Sequence, residues 1–301
     1  SIIAGGNEQA VASFRVTASS SEAITINSIK LTEIGSSVDA DVSNIKLFYG
    51  VIQLGSTIPA LVNGSAVFDL SASPLAILAS ASKDLTVYVN VGTGNGIATR
   101  TIRFEMTQAT DAVIYGSNSG GSIAVKGGSS FNADTWPQQG VAITITLGTL
   151  TVAKDTAISP SAQSYVLGTL QNKIIAFRFT AGAYEGARIT QIKLHATGTG
   201  AGTDSNISNV TLYDGDTNTI IAGPAGMVSG YVTFGSYTSG AFDTTGLFDL
   251  AKSAYKQIMV RADVPTGASS SATFGFEIKN PTTDIKADGL SSQNDLASTD
   301  I

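Results

Sequence analysis

Residues 83–91 read KDLTVYVNV, and residues 256–264 read KQIMVRADV. In the first stretch Leu85, Val87, Val89 and Val91 occupy every second position; in the second Ile258, Val260, Ala262 and Val264 do. A period of two places such side chains on one face of a β-strand and leaves the other face to polar residues. Val, Ile, Thr and Tyr occur in these stretches, as strands prefer. The second stretch follows the first by 173 residues, so the fold is a matter of repeats as well as of strands.

Working outward, further blocks recur in the same order. ASFRVTA (12–18) meets IAFRFTA (175–181), and SIKL (28–31) meets QIKL (191–194), both 163 residues apart. VSNIKLFYG (42–50) meets ISNVTLYDG (207–215), with Asn44 and Asn209 165 apart. RFEM (103–106) meets GFEI (275–278), and Asp111 meets Asp284. Gly, Asn, Asp and Ser cluster between the blocks. Asn63-Gly64 and Asp214-Gly215 are hairpin-turn signals. No amphipathic helix is expected; residues 75–81 allow one short turn. Many short strands in two copies of about 160 residues predict a β-sandwich pair.

The blocks resemble the Ig-like repeats of large secreted cell-surface proteins of bacteria and archaea. The resemblance rests on SNIKLFYG and SNVTLYDG, on the two KDLTVYVNV-type strands, and on GTLTVAKDTAISPS (148–161), which opens the second copy. The expected fold class is therefore all-β, two tandem immunoglobulin-like β-sandwich domains related by an internal repeat. The expected domains are 1–140, with residues 117–140 as a junction segment, and 141–301. Trp136, the only tryptophan, is expected to pack at that junction, with Pro137 restricting the backbone beside it.

Composition narrows the function. Of 301 residues 43% are hydrophobic, enough for two cores, and only 13% are charged, against about 25% in an ordinary soluble domain. The surface is smooth and weakly charged, which removes one defence against self-association. Net charge is −6, and the 17 Lys and Arg are scattered, which excludes a nucleic-acid footprint. No apolar run approaches the roughly 20 residues that span a bilayer, so no membrane insertion is expected in this segment. There are no cysteines. An extracellular or cell-surface location follows as an expectation.

Chemistry-bearing constellations are sparse. The single His195 lies in a strand without a nucleophile elbow in the sequence, and reads as an outward-facing strand residue. Residues 92–96 and 198–202 are glycine-rich but match no phosphate-binding loop and read as loops. Glu105 and Glu277 occupy repeat-equivalent positions, which suits a scaffold better than a catalytic pair. The chain is expected not to be an enzyme. Asp214, Asp216 and Asn218 form a compact acidic loop, the candidate calcium ligands, although the later Glu of an EF-hand is missing. No other cofactor is expected. Asn63, Asn206 and Asn209 are N-x-S/T sequons, candidates for glycosylation. The second copy is longer between matched blocks and carries aromatics there; Tyr231, Tyr237 and Phe242 are the candidate interaction residues.

Subtracting 163 from residues 141–162 leaves no counterpart in the first copy, and adding 173 passes residue 301. Each outer end is thus expected to lack one strand, to be supplied by flanking repeats or in trans by donor-strand complementation. The function these features predict is a structural subunit of an extracellular assembly, a surface filament, surface layer (S-layer) or stalk. Its partners would be copies of itself or neighbouring repeats in a polymer, with surface glycans as a further partner. The alternatives are an adhesin-type binding module that recognises glycan or protein, and a virion or phage appendage protein.

Overall fold

The structure is a computed structural model that describes residues 1–94, 96–128, 133–199, 204–296 and, as backbone, 298–300. The two glycine-rich stretches are therefore described only in part, and Phe131 of the junction segment lies outside the described residues. The chain is all-β and divides into two compact units, Ser1–Thr146 and Leu147–Ile301. The division falls six residues beyond the boundary expected from sequence. The reason is strand pairing: residues 143–146 bond to strands at Ile2 and Thr101, inside the first unit.

The first unit contains β1 (Ile2–Ile3), β2 (Gln9–Thr17), β3 (Ile24–Glu33), β4 (Val42–Tyr49), β5 (Ile52–Ala60), β6 (Ser65–Asp69), β7 (Leu75–Ile77), β8 (Ser82–Val91), β9 (Thr101–Ile102), β10 (Phe104–Met106), β11 (Ala112–Gly116), β12 (Gln138–Gln139) and β13 (Ile143–Thr146). One sheet runs β2-β8-β4-β5. In the other, β3 carries β6 and β7 end to end along one edge and β10 and β11 along the other. β13 joins β9 antiparallel and β1 parallel. Residues 75–77, read as a helical turn, are instead the short strand β7, whose Leu75 and Ile77 point into the core.

The second unit contains β14 (Leu150–Lys154), β15 (Asn172–Ala181), β16 (Ala187–Thr197), β17 (Ser208–Asp214), β18 (Ile220–Ala225), β19 (Tyr231–Gly235), β20 (Phe248–Leu250), β21 (Tyr255–Asp263), β22 (Gly275–Glu277), one helical turn α1 (Pro281–Asp284), β23 (Ile285–Gly289), β24 (Asp295–Leu296) and β25 (Ser298–Asp300). Its sheets are β18-β17-β21-β15-β14-β25 and a β16-centred sheet with β19, β20, β22 and β23 along its edges and β24 beyond β23. Phe177, Phe179, Leu212 and Val260 from the first sheet meet Ile189, Leu194, Phe234 and Phe276 from the second in one buried cluster. Side chains of this size contribute roughly 1.5–3 kcal/mol each when fully buried, so this two-sided layer holds the sandwich closed.

The repeat extends to irregularities. Register shifts fall at Ala10/Ala12 and, 163 residues on, at Lys173/Ile175. They fall again at Ser43/Lys46 and Ser208/Thr211. The repeated Ser-Asn of SNIKL and SNVTL is thus a β-bulge inside a strand. Asn44 and Asn209 hold φ of 47° and 50° there, a left-handed backbone that Asn tolerates better than most residues. Two-residue turns stand at Asn63-Gly64 and at its equivalent Ser229-Gly230, all four with positive φ, as a two-residue hairpin requires. Asp39 accepts the Gly64 N–H, and Asp204 accepts those of Ser229 and Gly230. Gly35 and Gly198 are equivalent too: a Cβ at either would stand 2.1 and 2.4 Å from the carbonyl oxygens of Thr101 and Thr273.

The units differ along one sheet edge. β14 lies along β15, with Leu150 opposite Ala181, Val152 opposite Phe179 and Lys154 opposite Phe177. β2, the counterpart of β15, has β8 on one side and no strand on the other among the described residues. In the second unit β25 pairs with the far side of β14 in parallel.

Candidate functional site

The loop 214–218 closes the hairpin β17–β18, and its acidic residues serve that turn. Asp214 is 7% exposed. One carboxylate oxygen accepts the N–H groups of Asp216 and Thr217 at 2.9 and 3.0 Å, and the other takes the Lys256 ammonium. Burial pushes the Asp214 carboxyl up, but Lys256 and the two N–H groups outweigh it and hold it at about 2. The Asn218 amide oxygen accepts from the Arg261 guanidinium, and Asp216 is exposed. Of the three candidate calcium ligands, Asp214 and Asn218 thus have their side-chain oxygens engaged within the chain. Among the described residues no group of three or more His, Cys, Asp or Glu is placed to hold a metal ion. The equivalent pair in the first unit is Lys83 and Tyr49, with the ammonium 4.3 Å from the ring centre. One Lys thus meets a carboxylate in one copy and an aromatic face in the other.

Tyr231, Tyr237 and Phe242 are each half-buried, and each already faces a cation. The Lys193 ammonium lies 4.1 Å from the Tyr231 ring, that of Lys286 5.3 Å from Tyr237, and the Arg188 guanidinium 5.2 Å from Phe242. These contacts pack the outer face of the β16 sheet. The Tyr237 hydroxyl also donates to Asp295 at 2.6 Å. His195 sits on the same face, 24% exposed, with Nε2 3.1 Å from Asp284 Oδ1. Asp284 caps α1 by accepting the Asn280 N–H, as Asp111 accepts those of Thr107 and Gln108 in the first unit.

The sequons separate by accessibility. Asn63 is exposed at its turn. Asn206 is buried, 5% exposed, and its side-chain oxygen accepts the Ser269 N–H, so a glycan there is incompatible with the folded chain. Asn209 is exposed, but its amide nitrogen donates to Asp263 at 2.8 Å.

Three features escaped sequence reasoning. Glu185 is 2% exposed and accepts N–H groups from Gly148, Ser291 and Ser292, tying the start of β14 to the turn after β23. Glu22 accepts those of Asn118 and Ser119 in the first unit. The 163-residue offset relates the two glutamates and could have found them. Asp288 is fully buried, paired in register with Asp295, and each leaves one buried carboxylate oxygen without a bond. Burial, with the Asp243 and Asp295 carboxylates, pushes the Asp288 carboxyl up against the Asp243 N–H and Arg188. Finally, an open groove of about 650 Å³ in the second unit is lined in part by Tyr165, stacked on Phe274 at 6.2 Å, with Lys154 and Glu277.

The fold and these surfaces define a tandem β-sandwich protein. No family model and no curated protein matches the chain. Among solved structures it is similar to the type II cohesin dyad of the adaptor scaffoldin ScaA from Acetivibrio cellulolyticus, at 10% identity and TM-score 0.23, covering 100% of this chain and 96% of that one. It is similar to the chain titled BspA_C_WT, at 8% identity and TM-score 0.22, covering 95% and 90%. A chain from the chaperone–tip adhesin complex of CFA/I fimbriae is similar at 8% identity and TM-score 0.24, covering 92% and 93%. Likenesses at these TM-scores carry no argument about what this chain does.

Proposed function

We propose that the protein is a non-catalytic structural module of an extracellular assembly, in which sandwich units join to further units by strand pairing and surface packing. The observation that carries this reading is the recurrence of one sandwich twice, down to its bulges, turn caps and close-approach glycines. Repeating units extend a molecule without adding chemistry. The carboxylates support the same reading: Asp39, Asp204, Asp111, Asp284, Glu22 and Glu185 hold backbone N–H groups of turns. Low charge and exposed aliphatics such as Val51 (93%), Leu78 (74%) and Val62 (70%) give surfaces that favour burial against a partner.

A second reading, a module that binds glycan or protein, is favoured by the groove beside Tyr165 and Phe274 alone. Negative-stain electron microscopy of the purified chain separates the two. Regular filaments or sheets are the expected result. Single particles at every concentration, together with saturable glycan binding that Tyr165→Ala abolishes, would replace the assembly with a binding module.

A further inference from the structure

We propose that the open edge of β2 is a seat for an extended peptide segment with two aliphatic side chains two residues apart, bound antiparallel as β14 is bound on β15. The proposal rests on the assembly reading and names how the first unit would take up a partner.

The second unit shows what such a seat holds. Leu150 and Val152 of β14 are 0% and 2% exposed and lie opposite Ala181 and Phe179, themselves 2% and 0% exposed. In the first unit the equivalents of Ala181 and Phe179 are Ala18, which is buried, and Val16, which is only half-buried, as is Phe14, the equivalent of Phe177. Among the described residues no strand lies along them on the side away from β8. Val16 is smaller than Phe179, so the position opposite it has room for an aliphatic side chain at least as large as Val152.

The backbone of β2 is also ready to pair. In the second unit the Ala181 N–H donates inward to Ala254, while the Gly182 N–H donates outward to Thr149 on the β14 side. In the first unit the Ala18 N–H donates inward to Ala81 at 2.9 Å. N–H groups alternate along a strand, so those of Thr17 and Arg15 point to the open side. Exposed edges are commonly blunted by proline, bulges or inward charges. β2 has its bulge near Ala10, and the run 12–17 is regular, without proline and with one charge, Arg15, paired outward to Asp84.

The test uses the full chain and a synthetic peptide of residues 148–155, GTLTVAKD, followed by NMR amide exchange. The expected result is saturable protection, ~tenfold slower exchange at Arg15 and Thr17. Thr17→Pro removes one outward N–H without touching the β8 ladder, and should abolish the effect. A peptide with Asp in place of its Leu and Val leaves the protein unaltered and should give no protection. Protection confined to residues 177–181, protection equal with the Asp peptide, or none at all would overturn the proposal. Protection of Arg15 and Thr17 that rises with protein concentration without peptide would make the occupant a second copy and overturn it as well. Filaments in micrographs without peptide protection would remove the seat and leave the assembly reading standing. Peptide protection in a chain that stays single would keep the seat and remove the assembly reading.

Discussion

Asn44 and Asn209 show how little a single residue needs to do to be repeated. Each holds one left-handed backbone position in a bulge, and Asn44 is exposed there. A left-handed residue other than Gly costs about 1–2 kcal/mol, less for Asn. Asn44→Ala should therefore lower stability by about 1 kcal/mol, and Asn44→Gly should not, as read by chemical denaturation. Two carboxylates of the second unit should titrate with opposite sign. Asp214 is held at about 2, below its ordinary 3.8, so the folded state binds its proton less tightly than the unfolded chain. Its stabilising contribution is complete above about pH 4 and is lost as pH falls towards 2. Asp288 is raised, so its charged form costs stability at neutral pH, and that cost is relieved as pH falls through its folded value. Asp214→Asn should lower the melting temperature at pH 7 and converge on the parent chain near pH 2. Asp288→Asn should raise it at pH 7, by ~2–4 °C if the gain is about 1 kcal/mol, and lose that advantage in acid. Parallel pH profiles for all three chains would contradict both assignments.

At the scale of elements, turns are held by acids that reach across sequence. Glu185 and Glu22 occupy equivalent places, yet one is buried with three backbone donors and the other is half-buried with two. A buried carboxylate that loses acceptor capacity leaves donors unsatisfied, at about 1–3 kcal/mol. Glu185→Gln should cost about 2–3 kcal/mol in denaturant unfolding, and Glu22→Gln should change the midpoint far less. Equal losses would mean that the extra contact to Gly148 contributes nothing to the start of β14. The β8 and β21 strands need no such devices, because their alternating Leu, Val, Ile and Ala side chains are all buried on one face.

At the scale of the molecule, each unit has its own core, and only the second has its β15-type strand covered. The first unit should therefore be the less stable. Trp136, its only tryptophan, is half-buried with its indole N–H bonded to Asp134 at 2.9 Å, and reports that unit alone. Its fluorescence transition in denaturant should precede the end of the far-UV circular dichroism transition. Coincident curves would show that the uncovered edge of β2 does not weaken its sandwich.

What the sequence determined by itself was the class of fold and its duplication. A period of two in 83–91 and 256–264 depends only on neighbouring residues, and matched blocks are visible wherever offsets drift slowly. It also placed the turn at Asn63-Gly64, because φ > 0 there selects residue type locally. Tertiary structure decided the rest. Residues 141–162 read as one strand-rich segment, yet their halves close different sheets, since partners lie more than 100 residues away at Ile2 and Ser298. The acidic loop at Asp214 looked like a cation site until Lys256, 42 residues on, was seen to occupy its carboxylate. The bareness of β2 appears only when its neighbours are set beside those of β15, because an unpaired edge is a property of what lies alongside a strand and leaves no mark on the strand's own residues.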